Sequence, residues 1–256
     1  MKEQILTISS IEKLQDDIFK TVLIGDCSEI SAPGQFINIK LNGFFLRRPV
    51  SIADYTENSL TIIYKTVGKG TKYMSTLPVG KSLQVLMPLG NGFSLEKIEK
   101  ALSHSLSDAA APVLIGGGIG LPPIFSLAKG LMKRGITPVV IAGFNSKSDV
   151  ILENEFKAIG ISPIITTVDG TYGKKGLVTE PFSELLLKLH RAYVCTCGPE
   201  PMLKAIHQLA ADGQFSFEAR MACGFGACMG CSCKTKYGNK RICTDGPILE
   251  KEEIIW

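Results

Sequence analysis

Histidine is scarce in this chain, with three in 256 residues. His104, His190 and His207 fall in a linker-like stretch and on predicted helices, where solvated or packed roles are expected. No pairing of titratable side chains stands out for acid–base work on a substrate. An excess of one charge is lacking too. The net charge is +4 and the Lys and Arg residues are scattered, which argues against a nucleic-acid partner. The N-terminal MKEQILTISS has no apolar core of the kind a secretory signal needs. One uncharged run reaches membrane length, the twenty residues from Ala109 to Ala128. Its PVLIGGGIGLPPIF carries four glycines and three prolines, so a lipid-exposed helix could not satisfy its backbone there. Strand, turn and helix are expected instead.

Cysteine is what the chain has in quantity. Five of its eight cysteines lie between Cys223 and Cys243. With no secretory signal, thiols in a reducing compartment favour metal over disulfides. The composition, 45% hydrophobic and 20% charged, is that of a globular protein able to bury a sizeable core.

Three regions follow one another. Residues 1–100 hold short strand-like runs, among them KTVLIG, GQFINIKL, SIADY, SLTIIYKTV and KSLQVLMPL, separated by turn residues. Only KGTKYMSTL looks helical there. The spacing predicts an antiparallel β-barrel or sandwich. ALSHSLSDAAAP reads as a linker, over 101–111. Over 112–214, strand-like and helix-like segments alternate, predicting a doubly wound parallel sheet. Residues 215–256 hold the cysteine cluster.

GGGIG, with Gly116, Gly117, Gly118 and Gly120, follows an apolar strand and opens a helix carrying Pro122 and Pro123. Proline suits a helix start, whose N–H groups lack intrahelical partners. Glycines let a backbone approach a pyrophosphate, and the helix start offers free N–H groups. The plainer reading is a tight strand–helix turn. After the next strand, Asn145, Ser146 and Lys147 decide neither for NAD nor for NADP. In LRRPVSIAD, Arg48 could pair with a phosphate and Ser51 could hydrogen-bond a ring or phosphate oxygen. An exposed edge strand with a proline is the alternative. A glycine turn before Thr71 could form a second anion site.

Cys223, Cys228 and Cys231 are spaced C-x4-C-x2-C, and Cys243 follows after eleven residues. This is the plant-type [2Fe–2S] spacing. Small residues between the thiols permit backbone N–H groups to approach the cluster. A four-cysteine zinc site is the competing reading, although such sites more often show two C-x2-C pairs. Cys233 breaks the spacing and is left over. Cys27 and Cys195 read as packed residues. Nicotinamide gives two electrons at once and an iron–sulfur cluster takes one, so a flavin belongs between them, in the strand-rich half.

RRPVSI, VGKGT, PLGNGF, GGGIG, DGTYGKKGLVT, CGPEPML, CGFGACMGC and CTDGPIL, in this order, resemble the electron-transfer subunits of type B dihydroorotate dehydrogenases, within the ferredoxin–NADP reductase-like superfamily. The resemblance spans nearly the whole chain. It implies an FAD-binding β-barrel, an NAD(H)-binding α/β domain and a C-terminal [2Fe–2S] segment. It implies FAD contacts at Arg48, Pro49, Val50, Ser51, Ile63, Tyr64, Lys65, Gly70 and Thr71. It places the cluster on Cys223, Cys228, Cys231 and Cys243, and Cys197 beside the nicotinamide–flavin junction. A packed strand-end residue is the alternative for Cys197. The implied partner is an FMN-containing catalytic subunit that interconverts dihydroorotate and orotate in pyrimidine synthesis, in a cytoplasmic heterotetramer of two of each chain. Other readings stay open. These are an oxygenase reductase component, a small subunit of a sulfide dehydrogenase or ferredoxin–NADP transhydrogenase, and a zinc-stapled binding protein.

Overall fold

The computed structural model describes residues 1–103, 110–189 and 191–256. His104, His190 and the middle of the expected linker lie outside the described residues. The first strands are β1 (Lys2–Gln15), β2 (Ile18–Ile24), β3 (Phe36–Ile39), β4 (Arg48–Tyr55) and β5 (Ser59–Lys65). After helix α1 (Lys69–Ser75) comes β6 (Ser82–Leu89). These strands close into a barrel in the order β1-β2-β5-β4-β3-β6, every pair antiparallel. Closure leaves no unpaired strand edge. Leu6, Ile8, Leu23, Ile37, Ile39, Ile52, Ile62 and Val85 fill its interior.

Strand β1 lay outside the sequence expectation. Only Leu6 and Ile8 of its fourteen residues are buried, so its pattern is mostly polar. Strand β3 departs from simple alternation for a different reason. All four of its residues are buried. Ile37 and Ile39 face the barrel interior, while Phe36 packs outside it with Cys231, Ile242 and Cys243 of the C-terminal segment.

Helix α2 (Leu95–Ser103) leads to β7 (Ala110–Gly117), so 101–103 close a helix and 110–111 open a strand. Then follow α3 (Leu121–Lys133), β8 (Val139–Phe144), α4 (Glu153–Ala158), β9 (Ile164–Thr167), β10 (Lys174–Lys175), α5 (Thr179–Leu186), β11 (Arg191–Cys197), α6 (Glu200–Leu209) and β12 (Asp212–Ser216). The tail adds the hairpin β13 (Ser232–Thr235) and β14 (Gly238–Arg241), then β15 (Ile248–Glu250). The larger sheet runs β10-β9-β8-β7-β11-β12-β15. Its pairs are parallel except the last, where β15 lies antiparallel to β12. Residues 113–117 of β7 are all buried, as a central parallel strand covered on both faces requires.

Two sets of contacts join barrel and sheet. Lys129 of α3 pairs with Asp54 of β4 at 2.5 Å, and Ile63 packs in the same core as Leu121 and Ile124. At the other end, Asn91 gives its backbone N–H to Gly246 O at 2.7 Å. Its side chain donates to Ile248 O at 2.8 Å and accepts from Ile248 N–H at 2.9 Å. The PLGNGF stretch is thus the seat of the C-terminal segment. No helix among the described residues is long and apolar enough to cross a membrane.

Candidate functional site

Three sets of residues carry the candidate site, one on the tail, one at the end of the sheet and one on the barrel. The first is the cysteine loop. Cys231 and Cys243 are buried, Cys223 is half-buried and Cys228 is exposed. The loop turns backbone N–H groups onto its sulfurs. Phe225 N and Cys228 N reach Cys223 Sγ at 3.5 Å, Gly230 N reaches Cys228 Sγ at 3.4 Å, and Cys243 N reaches Cys231 Sγ at 3.4 Å. Gly224 and Gly226 make this possible with φ of +78° and +87°, a region side chains disfavour. Arg241 braces the loop, binding Asp245 through Nε at 2.9 Å and Gly226 O through Nη1 at 3.2 Å.

Cys223 interacts with Cys228, and Cys243 with both Cys231 and Cys223. Four cysteine thiolates are the donor set of a [2Fe–2S] cluster. Burial raises the Cys223 thiol, but N–H bonds from Cys228 and Phe225 outweigh it and bring it to about 6. Burial and the neighbouring Cys231 push Cys243 up to about 11. Cys233 stands apart on β13 opposite Lys240, its thiol raised by burial and by the charge of Glu253.

The second set lines an open cleft of about 510 Å³ at the C-terminal ends of β7, β8 and β11. Gly118 has φ of +52° and open space around it. A side chain on Gly117 would meet Met202 Sδ at 2.6 Å, and one on Gly120 would collide with the carbonyl oxygen of Cys197. The glycines therefore let the start of α3 sit directly against the end of β11, leaving a bare backbone floor. Cys197 is 3% exposed, opposite Gly116 on β7 and Ser216 on β12. Burial pushes its thiol up to about 12, against a hydrogen bond with Ser216 and assisted by the charge of Glu218, so it is neutral at ordinary pH. Cys195 is wholly buried in β11.

Beyond β8, Lys147 N–H is taken by Thr171 Oγ1 at 2.8 Å, and the Lys147 ammonium stands 5.8 Å from the Tyr172 ring. Asp149 turns into the cleft and meets Lys65 at 3.4 Å. Glu218 lines the cleft's far side. Its carboxyl is raised by burial against the wall, although the side chain still reaches solvent. Sequence reasoning passed over Asp149 and Glu218, since no local motif marks them.

The third set lies on the barrel. The Arg48 guanidinium stands 5.0 Å over the Phe44 ring, and its side chain occupies the space a Cβ on Gly70 would fill. Thr71 Oγ1 bonds Gly68 at the start of α1. Pro49 and Ser51 lie opposite Asn38 and Phe36 of β3. Arg48, Gly70 and Thr71 thus come together, with Ser51 further along the same strand as Arg48. Their donors, a guanidinium and two hydroxyls, are those a phosphate-bearing group needs. Tyr64 and Val50 pack with the barrel interior. Ile63 belongs to the interdomain core, and Lys65 pairs with Asp17 at 3.2 Å and with Asp149. His207 is a packed residue, its Nε2 3.1 Å from Lys251 O and its ring against Phe215 and Trp256.

Residues 218–255 match the iron–sulfur cluster binding domain of dihydroorotate dehydrogenase B, and residues 114–208 match the oxidoreductase NAD-binding domain. The chain is 40% identical to a protein of Fusobacterium nucleatum over 99% of each chain, and 40% identical to one of Bacillus pumilus over 99% of this chain and 98% of the other. Both are named dihydroorotate dehydrogenase B (NAD(+)), electron transfer subunit. Among solved structures it resembles a chain of the NADH-dependent reduced ferredoxin–NADP oxidoreductase, with a TM-score of 0.83 and 28% identity over 98% of this chain and 90% of that one. A ferredoxin–NADP reductase from Neisseria gonorrhoeae with bound FAD and NADP shares the fold, with a TM-score of 0.65 and 15% identity over 81% of this chain and 90% of that one.

Proposed function

This chain belongs to the electron-transfer subunits of NAD-dependent dihydroorotate dehydrogenase B, and on that premise we propose that it carries electrons between NAD(H) and an FMN-containing catalytic subunit that interconverts dihydroorotate and orotate. The observation that carries this reading is the full-length match at 40% identity, over 99% of both chains. In the biosynthetic direction electrons run from dihydroorotate to NAD. When bound, FAD supplies the exchange between two-electron and one-electron chemistry, and a [2Fe–2S] cluster supplies the one-electron step.

The chain's own residues hold and order these groups. The start of α3 and the glycine floor receive a dinucleotide pyrophosphate on free N–H groups. Cys197, kept as a neutral thiol, would pack beside the nicotinamide and flavin. Arg48 would pair with a flavin phosphate, with Ser51 and Thr71 as hydroxyl donors and Gly70 leaving room for the guanidinium. Cys223, Cys228, Cys231 and Cys243 hold the cluster, oriented by the N–H groups already turned onto three of their sulfurs. Cys228, exposed at the surface, marks the side from which electrons pass to the partner. The assembly is a heterotetramer of two of each chain. It is cytoplasmic, where thiols such as these, all free in the structure, stay reduced.

A second reading has one observation behind it. The 28% match to a chain of the ferredoxin–NADP oxidoreductase fits a transhydrogenase small subunit. It is the weaker match, against 40% for the dihydroorotate relatives.

Absorption spectroscopy of the anaerobically purified chain tests both. Flavin and iron–sulfur bands that bleach with NADH are expected, and dihydroorotate should bleach them only once the FMN subunit is added. A colourless protein would sink the reading. Bleaching by reduced ferredoxin but not by dihydroorotate with the FMN subunit would favour the second.

A further inference from the structure

One side chain is sealed against the cysteine loop with nothing to bind. Asn38, on β3, is 1% exposed, and neither its Nδ2 nor its Oδ1 has a hydrogen-bond partner. A buried polar group left unpaired is costly and calls for an account. The Nδ2 lies where a side chain on Gly224 would begin, and Leu89 Cδ1 lies 3.7 Å from the same point. Gly224 directly follows Cys223. The Asn38 backbone is fixed opposite Pro49 of β4 and Leu86 of β6, and its carbonyl accepts Arg47 Nη1 at 3.4 Å. The carboxamide is thus closed off from water where it stands. It stands between the strand that carries Pro49 and Ser51 and the loop that carries the first cluster cysteine.

The sulfurs of an iron–sulfur cluster are anionic acceptors, and hydrogen bonds to them help set the reduction potential. Phe225 and Cys228 already aim backbone N–H groups at Cys223 Sγ. An amide nitrogen pressed against the same turn adds a side-chain donor from the barrel. We propose that Asn38 donates through Nδ2 to the cluster on its Cys223 side, and that this bond sets how electrons divide between flavin and cluster. Reduction adds negative charge to the cluster, which the N–H stabilises, so the bond raises the cluster's potential. This inference rests on the [2Fe–2S] reading above.

Replacing Asn38 by Leu keeps its volume and removes the donor. The purified holoprotein, titrated potentiometrically and followed by EPR, should keep its FAD and cluster content. The cluster midpoint should fall by about 59 mV, a tenfold change in a one-electron equilibrium constant. The flavin midpoint should stay in place. An N38L cluster with unmoved potential and g values overturns the proposal, as does a shift confined to the flavin. If N38L fails to assemble, the unmodified protein decides. With ¹⁵N only in asparagine side-chain amides, pulsed EPR of the dithionite-reduced cluster should detect a coupled nitrogen, and its absence overturns the assignment. An unmodified holoprotein with no [2Fe–2S] signal at all would overturn the cluster reading, and the proposal with it.

Discussion

The carbonyl oxygen of Cys197 lies where a side chain on Gly120 would begin. A glycine of the α3 turn and the last residue of β11 are thus in backbone contact, and the floor of the dinucleotide cleft depends on it. Gly120→Ala should force the two apart. Such overpacking typically costs about 1–3 kcal/mol, and the movement falls on the nicotinamide site. The expected outcome is normal flavin and cluster absorbance with NADH-dependent bleaching slowed roughly 5- to 150-fold, the range those energies span. Stopped-flow absorbance checks it.

Arg48 is held over Phe44 and against Gly70, and on the proposed reading it would partner a flavin phosphate. Hydrogen bonds to charged groups are worth about 1.5–3 kcal/mol. Arg48→Ala should therefore weaken FAD binding by roughly 10- to 100-fold. Titration of the apoprotein with FAD, read by flavin fluorescence, checks it.

Cys233, on β13, lies outside the C-x4-C-x2-C spacing. Cys233→Ser should keep the full iron–sulfur spectrum, and Cys228→Ser should lose it. Iron and sulfide content alongside the visible spectrum distinguishes the two. Loss of the cluster in the first variant would return Cys233 to the ligand set.

Glu218 gives a stability signature with a definite sign. Burial raises its folded pKa above the ordinary 4.5, so the folded state holds that proton more tightly than the unfolded one. Stability contributed by the proton is complete below 4.5 and is lost as pH rises through the folded value. Glu218→Gln should accordingly be more stable than the parent at pH 7 and equal to it in acid. Because the side chain still reaches water, screening keeps the gain under about 1 kcal/mol, a few degrees in Tm at most. Thermal melts across pH 4 to 7 read it, and a gain that grew toward acid would reverse the argument.

Much of this architecture is legible in the chain because it is local. A cluster ligand set is written in consecutive spacing, and Cys223, Cys228 and Cys231 occupy one loop. The alternation of apolar strands and helices from β7 onward is equally local. Strand β1 escaped because its burial rests on Leu6 and Ile8 alone, and α2 because Ile98 is its only buried residue. Contacts between distant segments leave no local trace. Asn38 meets Gly224, Lys65 meets Asp149, and Asn91 copies a strand's pairing for Ile248, 157 residues further along the chain. Tyr64 shows the converse. It belongs to a recognisable motif, yet its side chain serves the barrel.

The last strand, β15, is paired to the nucleotide sheet, while the segment just before it is bonded to the end of the barrel through Asn91. Hinging the two domains apart would tear one attachment or the other. One short stretch, residues 246–250, therefore secures barrel and sheet at once. A change in its length would be felt by both domains together.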